Sequence, residues 1–201
     1  MTNALYPYFR RLYSPFTILL LVVFLYGCYD SNKPKVLIIG DSISYGYYPY
    51  VKKELRDIAR VKRIEGNAQD TGIGLEKIDE WIGSENWDYI IFNWGIWDLT
   101  YRISEAGKIV GRDKLEGVQV TDVNTYGSNL EKLVWRLKMT DAKLFFVTTS
   151  YIPPKEKGMY SEDVPLYNRE AIEVMEKYQV KVIDLYDKSR QVHEKYGKGI
   201  D

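Results

Sequence analysis

The sequence predicts a three-layer α/β/α domain, a doubly wound parallel sheet covered by helices on both faces. Three observations predict it. Short apolar runs of strand length recur along the chain, segments with apolar residues at helical spacing separate them, and two of the runs end in conspicuous polar or glycine-containing turns.

The first run, Val36-Leu37-Ile38-Ile39, is continuously apolar and stops at Gly40, the pattern of a parallel strand buried on both sides. Val51, Leu55 and Ile58 follow at helical spacing, which predicts a helix over Tyr50 to Ile58. Val61 to Ile64 is a weaker strand candidate. Leu75, Ile78 and Ile82 mark the next helix, and Tyr89 to Phe92 the next strand. Ser104 to Thr121 breaks the alternation with a polar stretch containing Gly107, Gly111 and Gly117, which predicts a surface excursion or hairpin near the site. Tyr126, Leu130, Leu133, Val134 and Leu137 then give a long helix, Leu144 to Val147 a strand, Ala171, Ile172 and Met175 a helix, and Val180 to Ile183 a last strand. Strand-helix alternation of this kind requires right-handed crossovers, and ligands bind such sheets beyond the carboxyl ends of the strands.

At 201 residues the chain holds one sizeable core. Its 28 basic and 28 acidic side chains give no positive field for phosphate backbones, so a nucleic-acid partner is not expected. A single cysteine, Cys28, excludes an internal disulfide. With one histidine, His193, a Cys/His metal site is not expected, and neither is any other cofactor.

Residues 1–27 read as an export signal. Arg10-Arg11 precede an apolar run from Phe16 to Tyr26, shorter than the roughly 18 residues of a spanning helix. Leu25-Tyr26-Gly27-Cys28 resembles a bacterial lipobox, which implies cleavage before Cys28 and diacylation of its thiol. The alternative is an uncleaved N-terminal anchor with a free Cys28, and both place the domain outside the cytoplasmic membrane, in the cell envelope. Polar residues 28–34 read as a tether. The folded domain is expected over 35–201, with 26 basic against 28 acidic side chains once residues 1–27 are removed.

The chemistry points to Ser42. A serine directly after a buried strand and before a helix is presented to a crevice with its own N–H near the positive helix end. Gly40 permits the tight exit from the strand, and Asp41 holds the turn through neighbouring N–H groups. The tripeptide alone reads equally well as an N-capping turn. Its company is more specific: Val36 to Ser44, Asn67-Ala-Gln-Asp-Thr71, Asn93-Trp-Gly-Ile-Trp-Asp98 and Tyr167 through Tyr186 resemble, in order, successive blocks of the SGNH (GDSL) hydrolase family.

That resemblance implies a flavodoxin-like three-layer fold and a serine esterase forming an acyl-enzyme on Ser42, with oxyanion or pocket positions at Ser42, Gln69, Gly95 and Trp97. Gly40, Asp41 and Asp98 support the loops. The chain departs from the family in three places. Gln69 stands where glycine is common, although any residue but proline keeps the N–H. Trp97 stands where the family has an asparagine amide, and loss of one oxyanion donor costs about 3 to 4 kcal/mol in a serine hydrolase. No Asp-x-x-His block is present to supply the base and its orienting acid. Asp201 falls where that block begins, so the C-terminal part is expected to be incomplete. Such a form would keep only about 10³- to 10⁴-fold catalysis over water.

His193, preceded by Arg190 in place of an aspartate, reads as a solvent-exposed residue of a polar helix. Trp94 and Trp97 either pack on the sheet end or face a substrate. The functional expectations are a small ester or acylated-glycan substrate and a lipid anchor in the membrane. The competing reading is a non-catalytic envelope lipoprotein binding a glycan or a protein. A phosphate-binding domain using the Gly40 loop is disfavoured, since that loop has neither a glycine-rich cradle nor a basic residue.

Overall fold

The computed structural model describes residues 33–197. The signal segment 1–27, Cys28, most of the tether and Asp201 lie outside the described residues. Five strands form a parallel sheet: β1 (Lys35–Ile39), β2 (Arg60–Arg63), β3 (Tyr89–Phe92), β7 (Lys143–Val147) and β8 (Lys181–Ile183), in the order β2-β1-β3-β7-β8. Five helices lie between or after them: α1 (Ser42–Glu54), α2 (Thr71–Ile82), α3 (Val123–Lys138), α4 (Asp163–Lys177) and α5 (Tyr186–Tyr196). The order reverses direction beside β1, so β1 and β3 diverge into the crevice where such sheets bind ligands.

Alternation along the strands sorts side chains between two cores. Leu37, Ile39, Ile90, Phe92, Leu144 and Phe146 point to the face covered by α2, α3 and α4, where Leu130, Leu133, Val134 and Leu137 are fully buried. Val36, Ile38 and Val61 point to the opposite face beneath Tyr47, Tyr48, Val51 and Leu55 of α1 and its end. The expected fold class is therefore the observed one.

Two elements differ from the sequence reading. The first helix begins eight residues earlier than predicted, at Ser42, and ends at Glu54. Asp41 starts it by accepting the Ile43 N–H (2.8 Å), and Pro49 lies inside the helix, where it supplies no N–H to the ladder. Ile58, read as part of that helix, lies beyond it and is 64% exposed. The polar stretch after residue 100 forms a small antiparallel sheet of β4 (Tyr101–Glu105), β5 (Lys108–Arg112) and β6 (Val118–Gln119), in the order β5-β4-β6. It is moored by the Val120 N–H on Thr100 O (3.0 Å) and the Tyr101 N–H on Gly158 O (2.8 Å). Among the described residues no helix is long and apolar enough to cross a membrane.

Candidate functional site

The carboxyl ends of β1, β3 and β7 open onto a narrow crevice lined by Asp41, Ile43 and Ser44 on one side and by Asn93, Ile96 and Val147 to Ser150 on the other. Ser42 is the first residue of α1 and is exposed. As a first-turn residue it has no helical partner for its N–H, and its hydroxyl makes no hydrogen bond among the described residues. Ser44 is the opposite case: it is buried, its Oγ donates to Asp41 O (2.5 Å) and accepts from Arg63 Nε (2.6 Å).

Arg63, at the end of β2, holds the turn. Beyond Ser44, its Nη2 donates to Gly40 O (2.9 Å) and Asp41 O (3.2 Å), and its Nη1 to Ile64 O (2.7 Å) and Gly66 O (2.9 Å). All five of its N–H donors are thus engaged, and its guanidinium lies 3.6 Å over the Tyr45 ring. Asp41 is buried, which raises its carboxyl above the ordinary range, opposed by the Ile43 N–H and by the charge of Arg63. Burial and the neighbouring Asp41 likewise push the Tyr47 hydroxyl up to about 12, so it stays neutral.

Three loops are tied together by backbone acceptors in series. Gly40 O accepts the Ala68 N–H (3.2 Å), Ala68 O accepts the Trp94 indole N–H (3.3 Å), and Trp94 O accepts the Tyr126 hydroxyl (3.0 Å). In the second loop Gln69 takes φ +52°, the left-handed region in which glycine is the least strained residue. Its N–H donates to Asn67 Oδ1 (2.9 Å), so in this geometry it turns toward its own loop. Asp70 caps α2 through the Gly72 and Ile73 N–H groups.

In the third loop the two tryptophans separate. Trp94 is fully buried against Phe92 (6.0 Å) and Trp81 (6.5 Å), with Gly74 so close that a Cβ there would touch the indole. Packing is therefore its role. Trp97 is half-buried beneath the Arg102 guanidinium, 4.2 Å from its ring, and carries no amide toward the crevice. Gly95 sits at φ +142°, and a Cβ there would run into Thr149 Oγ1. Asp98 is fully buried: Oδ1 accepts from Thr71 N (2.9 Å) and Thr71 Oγ1 (2.6 Å), and its backbone O accepts the Thr121 N–H (2.9 Å). Burial raises its carboxyl to about 6, against the pull of the Thr71 bonds.

His193 is half-buried, not solvent-exposed as its polar surroundings suggest, because its ring packs on Tyr151 (5.3 Å between centroids). Sequence reasoning missed Arg63, Ser44 and the polar run Thr148-Thr149-Ser150. That run directly follows β7, so the rule that ligands bind at strand ends would have found it; no motif marks Arg63. A second groove lies between α2 and α3, lined by Leu75, Trp135 and the Asp79–Arg136 ion pair. Among the described residues no cluster of His, Cys, Asp and Glu is arranged to hold a metal ion.

Fold and site together define a doubly wound α/β protein that presents a serine at the first strand-to-helix turn. No protein-family model and no curated protein sequence matches the chain. Solved structures do. The acetyl xylan esterase AlAXEase aligns with a TM-score of 0.64 at 15% identity, over 82% of this chain and 83% of that one. The acetylxylan esterase Axe2 from Geobacillus stearothermophilus, solved as a catalytic mutant, aligns at 0.63 and 19% identity over 80% of each chain. AlinE4, an SGNH-hydrolase family esterase, aligns at 0.56 and 17% identity over 76% of each. The chain has the SGNH-hydrolase fold.

Proposed function

We propose that this protein is a serine esterase acting on small carboxylic esters, including acetyl groups on glycans. The carrying observation is the contrast within one turn: the Gly40 and Asp41 carbonyls and the Ser44 hydroxyl are held by hydrogen bonds, while the Ser42 hydroxyl is exposed and makes none among the described residues. Ser42 Oγ attacks the ester carbonyl, the C–O bond to the alcohol breaks, the alcohol leaves with the serine proton, and water then cleaves the acyl-serine to the acid. The Ser42 N–H at the start of α1 faces the developing oxyanion. Acetyl xylan esterases among the structural neighbours support the substrate class.

A second reading, a non-catalytic binder of glycan or protein, is favoured by two observations: the Gln69 N–H is engaged by Asn67, and Trp97 lacks the amide of the family pattern. Hydrolysis of p-nitrophenyl acetate and labelling by a fluorophosphonate separate the two. The esterase reading expects both in the wild type and neither in Ser42→Ala. Equal labelling of the two proteins sinks the nucleophile assignment, and a wild type inert in both assays leaves the binder. We also propose lipid anchoring through Cys28 in the bacterial envelope; incorporation of labelled palmitate that persists in Cys28→Ala overturns it.

A further inference from the structure

Two arginines near the crevice use their donors in opposite ways. Arg63 engages all five internally. Arg102, on β4, is half-buried over Trp97, yet among the described residues its guanidinium makes no hydrogen bond and no ion pair. We propose that Arg102 is a specificity residue that binds a carboxylate on the substrate, so that the preferred substrates are esters of anionic, uronic-acid-type glycans. The substrate role rests on the esterase reading; the carboxylate site does not.

The surroundings of Arg102 argue for an incoming anion. Its partner directly across the strand pair is Arg112, a like charge, and Arg112 is itself matched with Glu156 (3.5 Å). The acid whose field reaches Arg102 is Asp70, whose Oδ1 already caps α2. A partly desolvated cation beside another cation is unfavourable until an opposite charge arrives. The guanidinium lies 4.2 Å over the Trp97 ring, and its planar fork of N–H donors matches a carboxylate in two parallel bonds. Trp97 follows Ile96, which lines the crevice, and β4 is moored at Thr100 and Tyr101 to the body of the domain. The small antiparallel sheet is the element that carries the cation to this flank.

The test is binding to the full chain, by titration calorimetry at low salt, of trigalacturonate and of xylotriose, an acid and a neutral oligosaccharide of equal length. The wild type is expected to bind trigalacturonate at least about tenfold more tightly, with the preference falling as salt is raised. Arg102→Gln, which keeps the stem on Trp97, is expected to lose the preference with the melting temperature unchanged, and Arg102→Lys to keep part of it. Equal binding of the two sugars by the wild type overturns the proposal, as does a preference that survives in Arg102→Gln. A chain inert toward p-nitrophenyl acetate that keeps the preference loses the hydrolase reading and retains this one; turnover without the preference does the reverse.

Discussion

The two turns that face each other across the crevice are built on opposite plans. The Gly40 to Ser44 turn is held from outside by one long cation, Arg63, which gathers backbone carbonyls of Gly40, Asp41, Ile64 and Gly66. The Asn93 to Asp98 turn is held from within, by the buried indole of Trp94 and the buried carboxylate of Asp98. The first plan leaves its serine exposed and adjustable; the second makes the opposite wall part of the hydrophobic core. Precision at the site is thus anchored on one side by packing and on the other by electrostatics, and the two respond to different perturbations.

Emptying the packed side has the largest expected effect. Trp94→Ala removes a fully buried side chain that touches Phe92, Trp81 and Gly74 and leaves Ala68 O without its donor. A loss of about 3 to 5 kcal/mol is expected, read as a lower midpoint in urea at unchanged slope. On the clamped side, Arg63→Met keeps much of the stem but none of the five donors. The rate of fluorophosphonate labelling at Ser42 should fall by about 10²-fold through misplacement of the turn, with a smaller loss of stability. Arg63→Lys should restore part of that rate. Labelling unchanged in Arg63→Met would mean the turn holds itself.

Protons distinguish the two plans next. Burial sets the Asp98 carboxyl at about 6 in the folded chain, above the roughly 3.9 of an unfolded one. The contribution of this group to stability is fully present below about pH 4 and is lost as pH rises through about 6, because the unfolded state releases the proton first. The loss amounts to about 2 to 3 kcal/mol. Asp98→Asn, which keeps an acceptor for Thr71, should flatten that part of the stability curve; an unchanged slope between pH 4 and 6 would place the titration elsewhere.

The same contrast explains what was legible in the sequence. The strand-helix alternation and the exposed serine turn rest on local signals, namely apolar runs, helical spacing and a Gly-Asp-Ser exit, and they can be read from neighbouring residues. The supports cannot. Arg63 lies 23 residues from Gly40, and Asp98 lies 27 from Thr71, so each pairing exists only once β2 and α2 are placed beside the turns. Helix α1 began earlier than its apolar spacing suggested because its start is set by the Asp41 cap, with the polar residues Ser42 and Ser44 filling the first turn. His193 was misread for a related reason: its sequence neighbours are polar, and the aromatic that packs on it, Tyr151, comes from the loop after β7.

The smallest effect tests the loop that joins the two plans. Gln69 holds a left-handed conformation, φ +52°, that a residue with a Cβ adopts only at some expense, and glycine adopts freely. Gln69→Gly relieves that strain but adds freedom to the unfolded chain, so the net change in stability should be within about 1 kcal/mol. Its functional consequence should be larger than its energetic one. With the strain gone, the N–H at position 69 is less firmly directed at Asn67 Oδ1, which is its partner at 2.9 Å. If that N–H is the second oxyanion donor, labelling of Ser42 and hydrolysis of p-nitrophenyl acetate should rise in Gln69→Gly, and rise further in combination with Asn67→Ala, which removes the competing acceptor. Rates unchanged in both variants would remove the N–H at position 69 from the donors of this site, and would shift the balance toward a protein that binds its ligand in the crevice without turning it over.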